Sequence, residues 1–218
     1  MLTRLDNERK NTNLDYSKIK RLEFFLEKIK NDTYPEAPTS QHTSITRKMI
    51  DLLMNKYFTL KEGNILDVGC GQGVAIEYFT NKGFSTIGIT LNNEDLQKCK
   101  EKGHEIYEMD QSFLDFDDEE FDLVWCRHCL EHSIFPYFTL GELFRVLKHG
   151  GCLSVEVLAP DTDCKHQTNQ NHYSVLGKSM WIELMKRTGF TLVDFVNIDL
   201  KGGVPWKDVY WAFILQKS

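Results

Sequence analysis

The sequence predicts an α/β protein with a doubly wound, mostly parallel sheet of seven strands and helices on both faces. Short apolar runs alternate with amphipathic segments from Asn64 to the end of the chain, which is the pattern of a parallel sheet with helical crossovers. Glycines such as Gly83 and Gly189 follow the ends of the helical segments. The run Phe121–Cys126 is almost entirely apolar, as a strand buried on both faces should be. An N-terminal helical extension precedes this region.

The N-terminal region contains two predicted helices. Apolar residues at helical spacing indicate one helix between Ile19 and Ile29 and another from about Ser44 to Tyr57, with a proline-containing linker between them. We therefore divide the chain into an N-terminal helical extension or lid, residues 1–42, and a main domain, residues 43–218.

The main domain then alternates between strands and helices. Strands are predicted at Ile65–Val68, Thr86–Ile89, Glu105–Met109, Phe121–Cys126, Cys152–Leu158, Leu192–Ile198 and Tyr210–Gln216. Helices are predicted at Val74–Asn81, Glu94–Lys102, Tyr137–Leu147 and Ser179–Thr188. In such sheets ligands bind outside the carboxyl ends of the strands, near the reversal of strand order. A functional site is therefore expected in the segments that directly follow the strands.

Composition and charge narrow the classes of function. The 218 residues are 41% hydrophobic and 27% charged, which is ordinary for a globular domain. No run of eighteen apolar residues is present, and the first ten residues lack the apolar core of a secretory signal. The net charge of −6 disfavours a phosphate backbone as partner. We expect a cytoplasmic protein with a small-molecule partner, without nucleic acid or membrane, and the oligomeric state is unknown.

A glycine-rich loop follows the first predicted strand, in the segment Asp67-Val68-Gly69-Cys70-Gly71-Gln72-Gly73. Glycines there allow the backbone to approach a ligand closely and open the next helix. The dinucleotide fingerprint G-x-G-x-x-G is incomplete, because Val74 stands where its last glycine belongs. Asp67 is also an unfavourable neighbour for a pyrophosphate. The loop instead favours a ligand that carries sulfonium and ammonium groups and no phosphate.

The order of motifs resembles the class I S-adenosylmethionine-dependent methyltransferases, especially their broad type 11 group. Ile65–Gly73 is similar to the first motif of that family, and Asp110-Gln111 and Phe121–Val124 are similar to its third and fourth motifs. Arg145–Gly151 resembles the R-x-L-K-P-G-G element, with histidine in place of proline. The resemblance extends from Asn64 to Val157. It implies a Rossmann-like fold and S-adenosylmethionine as cofactor, with S-adenosylhomocysteine as product.

The resemblance also implies a set of cofactor-binding residues. The predicted set is Asp67, Gly69, Cys70, Gly71, Gly73, Thr90, Asn92, Asp110, Gln111 and Arg127. The backbone of Gly69 and Gly71 would hold the methionine and ribose portions. Asp110 would bind the adenine amino group, with Gln111 near the ring. Arg127 would pair with the cofactor carboxylate or, alternatively, with a structural aspartate such as Asp122.

The sequence departs from the family pattern after the second predicted strand. The family usually places Asp or Glu there to hold the ribose hydroxyls, whereas this chain has Thr90-Leu91-Asn92-Asn93. This ending looks like that of the cyclopropane-synthase branch, where hydroxyl and amide groups serve instead. We therefore expect Thr90 and Asn92 near the ribose.

The candidate catalytic residues are three histidines that follow the fourth and fifth strands. His128, His132 and His172 are potential general bases because a neutral imidazole is available at pH 7. His172 lies in the polar segment Ala159–Tyr173, and a loop of this length in a compact domain is often a functional lid. His132 and His172 could equally serve as structural polar groups.

A metal site is not predicted. Cys126-x-x-Cys129 with His132, and Cys164-x-His166, have short ligand-like spacings. Cys126 ends a buried strand, however, and no second Cys-x-x-Cys pair accompanies it.

The sequence therefore favours O-methylation of a small polar acceptor, such as the hydroxyl of a saccharide-like metabolite. One alternative is a non-catalytic scaffold subunit that binds the cofactor, which the missing ribose carboxylate would suit. A second alternative is carbon methylation or cyclopropanation of a lipid, suggested by Thr90-Leu91.

Overall fold

The computed structural model describes residues 16–35, 37–199 and 208–218. The chain separates into two compact units, of which the first ends at Thr33 and the second begins at Tyr34. In the first unit, helix α1 is Tyr16–Asn31. The first fifteen residues of the predicted extension lie outside the described residues, and the boundary at residue 42 and the lid role stay predictions.

The second unit contains seven strands and five further helices within the described residues. The helices are α2 (Ser40–Lys56), α3 (Val74–Asn81), α4 (Asn93–Glu101), α5 (Pro136–Val146) and α6 (Lys178–Thr188). The strands are β1 (Asn64–Val68), β2 (Ser85–Thr90), β3 (Glu105–Glu108), β4 (Phe121–Arg127), β5 (Leu147–Leu158), β6 (Phe190–Asp199) and β7 (Val209–Lys217). Short 3₁₀ turns occupy Leu130–His132 and His166–Thr168.

The strands form one sheet in the order β3-β2-β1-β4-β5-β7-β6. All neighbouring pairs from β3 to β5 are parallel, whereas β7 is antiparallel to both β5 and β6. The strand order reverses between β1 and β4, so the carboxyl ends of these two strands form the crevice in which ligands of such sheets bind. The predicted seven-stranded, mostly parallel α/β sheet is confirmed.

Helices cover both faces of the sheet, and the central strand β4 shows why its sequence is continuously apolar. Val124 belongs to a buried cluster that includes Trp181 of α6, whereas Trp125 belongs to a second cluster that includes Ile50 of α2 and Phe79 of α3. Because successive strand residues point to opposite faces, a strand covered on both sides must be apolar at nearly every position. None of the helices in the described ranges is long and apolar enough to cross a membrane.

Two element boundaries differ from the prediction in ways that affect the site. Helix α2 begins at Ser40 rather than near Ser44, because the Thr39 side chain caps it by accepting a hydrogen bond from the His42 N–H. His42 therefore lies in the first turn of this helix, rather than before its predicted start. Strand β5 begins at Leu147 rather than Cys152, because Leu147 already pairs with Phe121 of β4.

Candidate active site

The loop after β1 is held in a conformation that requires glycine. Gly69, Gly71 and Gly73 have φ values of +71°, +50° and +82°, which glycine adopts without steric cost. The backbone N–H groups of Gly69 and Cys70 both donate to the carbonyl of Ile89 at 3.0 Å. The loop is thus anchored to the carboxyl end of β2.

The three glycines differ in what surrounds them. A Cβ atom on Gly69 would lie 2.5 Å from Cys129 Sγ, and one on Gly73 would lie 2.8 Å from His104 Cδ2. A Cβ atom on Gly71 would meet nothing within 4 Å. Gly69 and Gly73 therefore permit close packing within the protein, whereas Gly71 borders open space into which a ligand can approach.

Two buried acceptor oxygens beside this loop fit the cofactor. Within the described ranges, Asp67 Oδ2 and Gln111 Oε1 have no hydrogen-bond partner. The Gln111 amide donates to the Cys129 carbonyl at 2.9 Å, which fixes the side chain. Burial raises the pKa of Asp67 to about 7, although the charge of Arg127 and a hydrogen bond from the backbone N–H of Ile76 both act to lower it. Buried acceptors without partners are costly, and the ammonium, hydroxyl and amino groups of S-adenosylmethionine are the donors that would satisfy them.

The other predicted cofactor residues lie at the carboxyl ends of β2 and β3. Thr90 Oγ1 accepts from the Asn92 N–H at 3.1 Å, and Asn92 Oδ1 caps α4 by accepting from the Asp95 N–H at 3.1 Å. Asp110 Oδ1 accepts from the Ser112 N–H at 2.7 Å. The structure brings these groups to the expected edge of the sheet, and their contacts with ribose and adenine stay predictions.

Cys70 is a buried neutral thiol at the same edge. Its hydrogen bond with Cys99, together with burial, raises the pKa of Cys70 well above its usual value. The side chain therefore contributes packing, and the expected contact of Cys70 with the cofactor remains a prediction.

Arg127, at the end of β4, is held by a buried ion pair. Its Nε lies 3.0 Å from Glu156 Oε1, and both side chains are less than a tenth exposed. Nη1 also contacts His42 and donates to Thr46 Oγ1 of α2. The guanidinium is therefore fixed from two sides, and its contact with a cofactor carboxylate stays a prediction.

The alternative pairing of Arg127 with Asp122 is wrong. Asp122 instead accepts from Lys148 Nζ at 2.8 Å and from the Asn64 N–H at 2.9 Å. The two residues are five positions apart on one strand, so their side chains point to opposite faces.

His128 combines an unusual backbone with a fixed ring. Its φ of +51° is uncommon for a residue other than glycine, and such positions cluster at functional sites. Nε2 lies 2.7 Å from Glu156 Oε1, and the ring stacks on Tyr210 with centroids 4.5 Å apart. Burial raises the pKa of Glu156, but the hydrogen bond from His128 and the charge of Arg127 lower it by more, to below its usual value. An ionised Glu156 thus orients the imidazole, as carboxylates do in catalytic triads.

His132 and His172 meet in a second group. Their rings pack edge to face with centroids 4.9 Å apart. His132 Nδ1 donates to the Asn171 carbonyl at 2.8 Å, and His172 Nδ1 donates to the His166 carbonyl at 2.9 Å. Burial and the nearby His172 lower the pKa of His132 to about 4, so His132 is neutral at pH 7. The three predicted histidines therefore divide between two different environments.

Sequence reasoning missed His42, Glu156 and Tyr210. Glu156 left a signal, because a carboxylate within the apolar run Ser154–Leu158 is buried only when it is paired. His42 lies between the predicted linker, which ends at Gln41, and the helix predicted from about Ser44, so no element was assigned to it. Tyr210 opens a predicted strand and has no local feature that separates it from an ordinary core aromatic.

Comparisons with known proteins agree with this geometry. The family model described as a methyltransferase domain matches residues 66–155. An uncharacterized protein of Methanocaldococcus jannaschii is 33% identical over 144 residues, 66% of this chain and 62% of that protein. A malonyl-[acyl-carrier protein] O-methyltransferase of Enterobacter lignolyticus is 26% identical over 56% of this chain and 49% of that enzyme. A sterol 24-C-methyltransferase of Schizosaccharomyces pombe is 29% identical over 67% of this chain and 45% of that enzyme.

A solved structure confirms the fold. A SAM-dependent methyltransferase of Methanosarcina mazei superimposes with a TM-score of 0.65 at 19% identity, covering 76% of this chain and 96% of that one. The chain spans about half to three-fifths of the length of the first curated relatives that it matches. Residues 66–155 match the methyltransferase-domain family, whose model implies S-adenosylmethionine as the cofactor, and the sheet order and the glycine loop are those of the class I, Rossmann-like fold.

Proposed function

We propose that this chain methylates a hydroxyl oxygen of a small polar molecule, with a saccharide-like acceptor favoured. The observation that carries the proposal is the His128–Glu156 pair, at 2.7 Å, beyond the carboxyl end of β4. A hydroxyl acceptor must lose its proton as it is methylated, and a positioned imidazole is the usual group that takes it.

The donor half of the site would hold the cofactor through the open backbone at Gly71 and the buried oxygens of Asp67 and Gln111. Asp110 and Thr90 extend this edge toward the predicted adenine and ribose positions. When bound, S-adenosylmethionine supplies an activated methyl group. The protein then has three tasks, which are to align the acceptor, to exclude water and to accept the proton.

His128 is suited to the last task. With its Nε2 proton directed at Glu156, the neutral ring carries its lone pair on Nδ1. The proton of the acceptor hydroxyl would pass to Nδ1, and the carboxylate of Glu156 would stabilise the resulting imidazolium. Arg127 is a positioning residue, because its charge helps to keep the buried carboxylate ionised.

The surroundings of His128 favour a polar acceptor. The segment after β5 contributes His166 and His172, and Asp208 accepts from His166 Nε2 at 2.8 Å. Such groups hydrogen-bond to hydroxyl-rich molecules and disfavour an acyl chain. The O-methyltransferase among the relatives supports an oxygen acceptor, and the sterol C-methyltransferase supports the carbon alternative.

The test is turnover to S-adenosylhomocysteine with a panel of hydroxylated metabolites, including sugars, and with a lipid as comparison. The informative variant is His128→Asn, because asparagine tolerates positive φ but cannot serve as a base. Its turnover should fall by about 10²–10⁴-fold, with unchanged affinity for S-adenosylhomocysteine. His149→Ala, at an exposed position, is the control and should resemble the wild type.

Three outcomes would reject this assignment. Undiminished turnover of His128→Asn would remove His128 from the chemistry. Turnover of the lipid alone would favour the carbon alternative. Tight binding of S-adenosylhomocysteine without turnover of any acceptor would favour a scaffold subunit.

A further inference from the structure

We propose that Glu131, His132 and His172 form a binding site for one divalent transition-metal ion, for which Zn²⁺ is the committed candidate. Each residue offers one ligand atom, and these atoms lie within 4.8 Å of one another. Two imidazoles and one carboxylate are a recurrent ligand set for zinc. Such ligands lie about 2.0–2.2 Å from the ion, so donor atoms around one ion are less than 4.8 Å from each other. This inference departs from the sequence-based expectation of no metal.

The carboxylate is not one of the exposed acidic groups that often cluster without an ion. Glu131 is only 1% exposed, and it lies in the 3₁₀ turn directly after β4. Burying a carboxylate is costly unless it is paired or coordinates a metal. A cation beside the two imidazoles would offset the negative charge of this buried carboxylate.

The hydrogen bonds of the two imidazoles prepare them as ligands. In both rings Nδ1 donates to a backbone carbonyl, that of Asn171 for His132 and that of His166 for His172. In neutral rings this tautomer leaves the lone pair on Nε2. Metal-ligating histidines are typically oriented in this way by the group bound to the other nitrogen. The Asn169 amide lies 3.3 Å from His172 Nε2, and an ion bound at Nε2 would displace this long contact.

The backbone holds the three ligands together in advance. The Ser174 N–H donates to the Glu131 carbonyl at 2.9 Å, and Ser174 Oγ donates to the Ser133 carbonyl at 2.6 Å. These bonds fasten the segment that carries His172 to the turn that carries Glu131 and His132. Such preorganisation lowers the entropic cost of binding an ion.

A neighbouring cluster of Cys164, His166 and Asp208 is the weaker candidate. The Asp208 carboxylate already accepts from His166 on one oxygen and from the Tyr210 hydroxyl on the other, each at 2.8 Å. Cys164 is exposed. These contacts explain that cluster as a structural hydrogen-bond network.

The ion would have coordination positions beyond its three protein ligands, and an open position on zinc can bind and acidify a hydroxyl. That use of the site rests on the proposed function. Metal binding itself does not, and it can therefore be measured on the full chain without cofactor or acceptor.

The experiment titrates metal-free protein with zinc chloride in a calorimeter, and repeats the titration with Co²⁺ while recording visible absorption. One ion should bind per chain, and the Co²⁺ bands should show low coordination number without thiolate charge transfer. His172→Ala and the nearly isosteric Glu131→Gln should each weaken Zn²⁺ binding by at least about 10–100-fold. His166→Ala is the matched control and should keep wild-type affinity, because the hydrogen bond from His172 Nδ1 goes to the backbone carbonyl of residue 166, which the substitution retains.

Thermal unfolding in the presence of a chelator would verify that every variant is folded. No saturable uptake of Zn²⁺ by the folded wild type would overturn the proposal. So would loss of binding in His166→Ala with retention in His172→Ala, since that result would place the ion at the neighbouring cluster. Zinc binding without methyl transfer would leave the metal site standing and reject only the proposed function.

Discussion

The proposed donor and acceptor halves of the site are built in different ways. The donor half is a backbone structure, in which the positive φ values of Gly69, Gly71 and Gly73 shape one short loop. The acceptor half is a network of side chains from distant segments, from His42 in α2 to Tyr210 in β7. A loop defined by glycine positions can be recognised from seven consecutive residues, whereas a network of this kind exists only after folding.

The two halves also differ in their electrostatics. In the donor half, no described cationic side chain lies within hydrogen-bond distance of the buried Asp67 carboxyl. Burial raises the pKa of this carboxyl. In the acceptor half Glu156 is equally buried, but His128 and Arg127 lower its pKa. The first carboxyl is thus suited to a cationic ligand, and the second to a fixed structural role beside His128.

The largest effect on stability is expected from breaking the buried ion pair. Arg127→Met leaves the Glu156 carboxylate buried without its main counter-charge, so the free energy of unfolding should fall by about 3–5 kcal/mol. Lys148→Met is the matched control, because its ion pair with Asp122 is as short, at 2.8 Å, but 40% of the lysine side chain is exposed. That variant should lose about 0–1 kcal/mol. Urea unfolding measures both, and equal losses would show that burial does not govern the strength of the pair.

A smaller, pH-dependent effect is expected from Asp67. The pKa of Asp67 is about 7 in the folded protein, whereas its ordinary value is 3.8. At a pH between these two values the folded state therefore keeps a proton that the unfolded state has lost. Stability should therefore fall as pH rises from about 4 to 7, by roughly 2 kcal/mol or more. In Asp67→Asn this contribution disappears. Urea unfolding of both proteins at pH 5 and pH 8 tests the sign, and parallel pH dependences would contradict it.

The smallest change concerns the packing of the glycine loop. In Gly69→Ala the new methyl group meets Cys129 at 2.5 Å with φ at +71°, so we expect a loss of about 2 kcal/mol. Gly103→Ala has φ at +78° and nothing within 4 Å, and it should lose only about 1 kcal/mol. Thermal unfolding compares the two, and a Gly103→Ala loss as large as that of Gly69→Ala would mean that backbone strain alone explains the effect.

The sequence predicted the fold because periodicity and glycine positions are local signals. Helix α3 begins and ends where it was predicted, and β4 was recognised from its continuous apolar run. The candidate site residues that the sequence identified lie at or just beyond the carboxyl end of a strand, as Asp67, Asp110 and His128 do. Glu156 lies within a strand and His42 within the first turn of a helix, so their approach to Arg127 depends on the register of β4 against β5 and on the start of α2.

The contrast between the halves also explains the error about Arg127. Asp122 lies only five positions from Arg127 along the chain, whereas the observed partner, Glu156, lies opposite Arg127 on the neighbouring strand. Sequence proximity suggests partners for helices and turns. In a parallel sheet the partner is set by strand register, which one sequence does not contain.

The most direct test of the central claim is calorimetric titration with S-adenosylhomocysteine of the wild type, Gly71→Ala and Gly103→Ala. Both glycines have positive φ and open surroundings, so both variants bear the same backbone strain, and only Gly71 borders the proposed donor site. The wild type and Gly103→Ala should bind one equivalent with equal affinity, and Gly71→Ala should lose binding while remaining folded. Equal binding by all three proteins, or no binding by the folded wild type, would contradict the assignment of this loop as the cofactor site.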